Sequence, residues 1–187
     1  MSADTGVPRG PRLAVDVGSV RVGLAASDPD GLIATPVDTL ARDVPGRKER
    51  RTPTDVARIV HEVHERGAAV VYVGHPRHLS GAEGAASAAA RAYAVGLAQA
   101  VAPVPVRLVD ERMSTVTAHQ ALQASGRSGR RQRQVVDQAA AVVILQYALD
   151  AERATGRRPG EPVDDDRSQH GRTAHGGPAG DGRATVE

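Results

Sequence analysis

Apolar and polar residues follow two rhythms along the chain. Leu13 to Val17, Val20 to Ser27 and Leu32 to Leu40 are short β-type runs separated by glycine-containing turns, which predicts a three-stranded meander. The period then lengthens. Thr54 to Arg66 reads as a helix, Ala69 to Gly74 as a strand, and the Ala-rich stretch Ala82 to Ala100 as a second helix. Val106 to Asp110 forms a further strand, followed by a short helix near Thr115 to Ala124, a basic linker, and a last helix from about Gln132 to Arg153. No internal repeat is visible.

A meander followed by β-α-β-α units predicts one α/β domain. Its sheet would be mixed and five-stranded, with three antiparallel meander strands plus two parallel strands, flanked by helices. The pattern divides the chain into a loose leader over 1–11, a domain over 12–155, and an aperiodic tail of Gly, Pro, Asp and Arg over 156–187. The length of 187 residues suits one such domain and not two.

Composition narrows the chemistry. Phe and Trp are absent and only three Tyr occur, so Val, Leu, Ile and Ala must build the core, and a nucleic-acid surface made of stacking aromatics is not expected. The absence of cysteine excludes disulfides, thiolate metal sites and cysteine nucleophiles. A formal charge of +2 names no partner by itself, although a pI near 9.5 is compatible with a polyanion. No run approaches the roughly 18 apolar residues of a membrane span and the N-terminus lacks a signal-peptide core, so a cytoplasmic location without membrane attachment is expected.

Three acidic positions stand out. Asp16 interrupts the apolar strand Leu-Ala-Val-Asp-Val, and alternation places it with Ala14 and Gly18, opposite Leu13, Val15 and Val17. A carboxylate taken out of water there needs a cation, a metal or donors. The sequence continues to Gly23 with glycines that permit a tight turn and close approach of a phosphate. At the end of Val106-Arg-Leu-Val-Asp-Glu-Arg, the neighbours Asp110 and Glu111 face opposite ways while the strand persists, so only one can join Asp16; spacing does not choose between them. Asp137 precedes an apolar stripe of Ala140, Ala141, Ile144 and Leu145 on the last helix.

Converging carboxylates would repel one another without a counterion. A divalent ion, Mg²⁺ or Mn²⁺, resolves this, because both favour oxygen ligands and together such sites serve phosphodiester hydrolysis. Arg127, Arg130, Arg131 and Arg133 lie just before Asp137 and would attract a phosphate backbone without reading its sequence. The pairs His61 and His64, and His75 and His78, lack a third ligand at recognisable spacing and are assigned surface or packing roles.

The segments Asp16-Val-Gly-Ser-Val-Arg-Val-Gly23, Ser27-Asp-Pro, Ile33-Ala-Thr-Pro36, Val73-Gly-His-Pro76, Ser80-Gly, Asp110-Glu-Arg112 and Asp137-Gln-Ala-Ala140 occur in this order. In that combination the chain resembles the pre-16S rRNA nuclease family, ribonuclease H-like and related to Holliday junction resolvases, over about residues 12 to 150. The resemblance implies a ribonuclease H-like fold. It also implies a metal-dependent nuclease that processes the 5′ end of pre-16S rRNA, with Asp16, Glu111 and Asp137 as catalytic residues and ligands of Mg²⁺ or Mn²⁺. Arg21 and Arg112, inside these motifs, join the four arginines as candidate nucleic-acid contacts. His75 stands where the family usually has Leu, and the tail has no counterpart in the family pattern.

Other functions compete with this one. Branched DNA, such as a Holliday junction, is the alternative substrate. A non-catalytic RNA-binding assembly factor, or an actin-like ATP-binding phosphotransferase, would use the same fold differently, although the latter clasps its nucleotide between two such domains. Either a monomer or a homodimer fits the sequence.

Overall fold

Strand β1 (Arg12–Val17) is apolar on both faces, which suits the middle of a sheet covered on each side. In the computed structural model, which describes residues 7–43, 52–76, 84–110 and 130–163, it holds that place. It pairs antiparallel with β2 (Arg21–Ser27) and parallel with β4 (Val70–His75). Beyond β2 lies β3 (Ala34–Ala41), antiparallel, and beyond β4 lies β5 (Val106–Asp110), parallel. Three meander strands and two parallel strands are thus present as the pattern predicts. Pro36, which has no N–H to donate, lies on edge strand β3, where the register slips between Leu24 and Ala25.

Helices α1 (Thr54–Arg66) and α2 (Ala85–Val101) cover one face. Val56, Ile59 and Val63 of α1, with Ala94, Leu97, Ala98 and Val101 of α2, close a core with Leu13, Val15, Leu24, Val71, Val73, Val106 and Leu108. Alanines at these helical positions bring the backbone of α2 close to the sheet without Phe or Trp. The last helix, α3 (Arg130–Thr155), covers the other face. Its Ala141, Ile144, Leu145, Ala148 and Leu149 pack on Ala14, Ala25, Val70, Tyr72 and Val109.

The direction of α3 is set by a buried ion pair. The Arg12 guanidinium donates from Nε (3.0 Å) and Nη2 (2.8 Å) to Oε2 of Glu152, and the Tyr72 hydroxyl donates to Oε1 of the same carboxylate. Burial, and then the carboxylate beside it, push the Tyr72 hydroxyl far above the usual phenol range. The C-terminal end of α3 is therefore fastened to the start of β1.

The structure departs from the sequence pattern in three places. The sheet has six strands, not five: β6 (Glu161–Pro162) pairs antiparallel with β5. Residues 156–163, expected in the tail, are thus bound to the domain. Arg107 of β5 donates to the carbonyls of Pro159 (2.7 Å) and Gly160 (2.5 Å), Arg91 of α2 pairs with Glu161 at 3.0 Å, and the Val163 amide donates to Val106 O. Gly10 and Pro11, expected in the leader, are also bound to the domain: the Pro11 carbonyl accepts from Ala69 N and Gly10 N donates to Pro29 O. Finally, β3 starts at Ala34 rather than Leu32. Asp28 Oδ1 accepts from the amides of Leu32 (2.9 Å) and Ile33 (2.7 Å), which makes a turn of those residues, and the Ile33 donor leads the effects that hold the Asp28 carboxyl below its usual range. The short helix expected near Thr115 to Ala124 lies outside the described residues.

Candidate active site

Asp16 lies at the C-terminal end of β1, half-buried, on the face covered by α3. Its partner across β2 is Gly23, and continuing the β1–β4 register one step past Val15 and Val73 brings Gly74 alongside on the other flank. The residue directly across the β1–β2 ladder from Asp16 therefore carries no side chain. The turn that follows is tight. Gly18 N donates to Arg21 O at 2.9 Å, and a Cβ on Gly18 would sit 2.8 Å from that oxygen, so any larger residue would force the turn apart.

Arg21 shares the face of Gly23 and hence of Asp16. It is the diagonal cross-strand neighbour of the acid, at a Cα separation of roughly 7–8 Å in an antiparallel pair. A guanidinium and a carboxylate therefore lie on one face at one end of the sheet.

The register orients Asp110. Asp110 shares its face with Val106 and Leu108, in the core beneath α1 and α2, and lies beside His75 in the β4–β5 ladder. It thus faces away from Asp16. Val109, one residue earlier, belongs to the Asp16 face. Glu111 and Arg112 lie outside the described residues, as do Arg127 and the side chains of Arg130, Arg131, Arg133 and Asp137.

The backbone of α3 includes position 137, 15 residues from Glu152, or about 22 Å of helix at 1.5 Å per residue.

Among the described residues no group of three or more His, Asp or Glu stands ready to hold a metal ion. Asp16 alone of the three expected ligands is described in full. Its hard oxygen donors, at a strand end across from Gly23, suit a divalent cation.

The histidines take the packing and surface roles assigned to them where they are described. His61 and His64 are exposed on α1, whereas His75 is buried, with its Nε2 2.6 Å from the Ser87 hydroxyl in a hydrogen bond that ties the end of β4 to the first turn of α2. His78 lies outside the described residues.

Two residues near the site were not legible beforehand. Arg12 heads β1 on the Asp16 face, and a charge inside an apolar strand is itself a signal that a buried partner exists. Arg42, just past β3, holds the turn after Asp16, and no pattern marks it.

A profile of the family described as RuvX, Holliday junction resolvase, matches residues 10–151. The chain belongs to that family. A "Putative pre-16S rRNA nuclease" of Streptomyces avermitilis is 53% identical over 134 residues, covering 72% of this chain and 81% of the relative. The protein of the same description in Streptomyces coelicolor is 54% identical over 131 residues, covering 70% and 74%. Among solved structures, the Thermus thermophilus RuvC in complex with Holliday junction substrate aligns at 17% identity and a TM-score of 0.48, covering 82% of this chain and 99% of that one. The family match includes Asp16, Glu111 and Asp137, and it ends before the Gly156–Val163 segment that completes the sheet.

Proposed function

We propose that this RuvX-family chain is a metal-dependent nuclease that hydrolyses phosphodiester bonds, with pre-16S rRNA near its 5′ end as substrate. The observation that carries the reading is the setting of Asp16: an acid at the end of the central strand, flanked by glycines, on the face covered by the helix that bears Asp137. Relatives more than half identical, described as pre-16S rRNA nucleases, support the choice of substrate.

In this reading Asp16, Glu111 and Asp137 hold Mg²⁺ or Mn²⁺. Glu111 is assigned over Asp110 because its position in the alternation is that of Val109, not of the residues packed beneath α1 and α2. A bound divalent ion supplies Lewis-acid activation of water and stabilisation of the departing oxygen. The chain supplies the rest. Asp16 contributes charge at a fixed point, and Arg21 on the same face offers the phosphate a planar fork of donors. Arg112, Arg127, Arg130, Arg131 and Arg133 guide the polyanion and fix no sequence. A cytoplasmic location follows from an rRNA substrate, and among the described residues no helix is long and apolar enough to cross a membrane.

Asp16→Asn tests the mechanism. Asn keeps the shape but loses the charge that helps hold the cation, so Mg²⁺- or Mn²⁺-dependent cleavage should be nearly abolished while nucleic-acid binding is largely kept. Wild-type cleavage rates in the variant, on precursor rRNA and on branched DNA, would refute the mechanism. Cleavage by the wild-type chain that survives EDTA would do the same. The family's own description favours branched DNA as a second substrate. Precursor 16S ends that mature normally in cells depleted of the protein would shift the reading to that substrate.

A further inference from the structure

The β1–β2 turn is held from outside by one side chain. Arg42, the first residue after β3, donates from Nη1 to the Gly18 carbonyl at 2.9 Å, and its backbone amide donates to the Val20 carbonyl at 3.0 Å. Both arms of the turn that begins two residues after Asp16 are thus fastened to one residue. The guanidinium also lies over the Tyr93 ring of α2, with Cζ 5.8 Å from the ring centroid. Tyr93 in turn donates its hydroxyl to Asp55 Oδ2 on α1 at 3.1 Å. The next residue, Asp43, accepts at Oδ2 from the Thr54 amide (3.1 Å) and hydroxyl (3.2 Å) at the start of α1. Arg42 therefore connects the turn of the candidate site to the pair of helices on the far side of the sheet.

We infer that Arg42 is a positioning residue for the candidate metal site: it fixes the Gly18–Arg21 turn against α2 and so sets where Asp16 and Arg21 sit. The inference rests on the metal-dependent nuclease reading. Its physical basis is that groups behind a ligand hold it in its productive geometry, and their loss typically costs about 10–100-fold in metal affinity or activity. Tyr93 supplies the rigid surface for the guanidinium. Its hydroxyl serves a separate purpose, because Asp55 is buried with Oδ1 lacking a partner and Tyr93 as the donor to Oδ2.

The test uses the full chain as Arg42→Met, Arg42→Lys and Tyr93→Phe, with Mn²⁺ affinity measured by calorimetry and turn mobility by amide hydrogen exchange of the metal-free protein. Arg42→Met keeps the aliphatic stem and should weaken Mn²⁺ binding about tenfold, the lower end for an outer-shell partner, and speed exchange in residues 18–21. Arg42→Lys, which retains one donor and the charge over the ring, should fall between it and wild type and remains informative if the Met variant does not fold. Tyr93→Phe keeps the ring but removes the donor to Asp55, so it should lower thermal stability and leave Mn²⁺ affinity and turn exchange at wild-type values. Unchanged Mn²⁺ affinity in both Arg42 variants would overturn the role of Arg42 alone. A wild-type chain that binds no Mn²⁺ would overturn the metal reading and the inference with it.

Discussion

Removing the charge of Glu152 should destabilise the protein strongly. The side chains of Arg12 and Glu152 are 8% and 4% exposed, and two donors of one guanidinium reach a single carboxylate oxygen. Breaking such a pair from one side typically costs about 3–5 kcal/mol, because the surviving charge stays buried without its counter-charge. Two features place Glu152→Gln near the lower end. The Gln carbonyl can still accept one bond, and Arg12 keeps its contacts with the carbonyls of Gly10 (2.6 Å) and Pro29 (3.3 Å). One feature works the other way. Arg158, whose Nε and Nη2 are buried without a partner, lies close enough to feel the Glu152 charge, so neutralising Glu152 leaves two guanidinium groups facing each other. A loss of about 3 kcal/mol follows, or roughly 6–12 °C in Tm for a chain of this size.

Urea unfolding followed by far-UV circular dichroism measures the loss, provided the slope is unchanged. The cycle with Arg12→Met isolates the coupling. If the pair is the cause, Arg12→Met with Glu152→Leu should be less destabilised than the sum of the single changes by about 2 kcal/mol, within the range found for residues in direct contact. A loss below about 1 kcal/mol in Glu152→Gln, or additivity within about 0.5 kcal/mol, would refute the reasoning.

Gly160→Ala should cost about 2 kcal/mol, since its φ of +79° is costly for an L side chain and a Cβ would run into the Leu108 carbonyl; faster amide exchange at Val163 would show that β6 has let go. Glu62 is pushed up by burial, but the Arg66 hydrogen bond and the charges of Arg66 and Arg58 outweigh this and hold its carboxyl below the usual range. A depressed folded pKa stabilises above the unfolded value and loses its effect as pH falls, so the Tm gap between wild type and Glu62→Gln should shrink below roughly pH 4.3; a gap constant with pH would contradict this. Replacing Arg130, Arg131 and Arg133 with Ala should weaken nucleic-acid binding about equally for all sequences and flatten its salt dependence, and an unchanged salt slope would show that the run makes no phosphate contacts.

Elements with strong periodicity were legible in the amino-acid sequence. Thr54–Arg66 and Val106–Asp110 fold as the pattern predicts, and Asp16 was visible as an acid inside an apolar strand. What escaped depends on partners distant along the chain. β6 is two residues long and has no period of its own; it exists because Arg107 grips the Pro159 and Gly160 carbonyls some fifty residues away. The direction of Asp110 needed the register of β5, since alternation within one strand does not relate it to Asp16. The neighbour of Asp16 was hidden for the same reason. Gly23 is an unremarkable glycine until strand pairing sets it across from that carboxylate.

Strand β1 carries two charges on the same face, four residues apart, and the fold treats them differently. Arg12 is enclosed by Glu152, by Ser27 Oγ accepting from its amide, and by the carbonyls of Gly10 and Pro29, so its charge is answered within the chain. Asp16 sits where the flanking strands contribute glycines, beside a turn clamped by Arg42. The first arrangement fixes α3 relative to the sheet, and it does so about four helical turns from position 137. A helix anchored that far from its candidate ligand delivers it reliably only if the intervening stripe is packed without slack, and Ala141, Ile144, Leu145, Ala148 and Leu149 are all buried along it. The anchor and the site are thus coupled through the core, so damage to the Arg12–Glu152 pair should reach the metal site as lost geometry and not as lost charge.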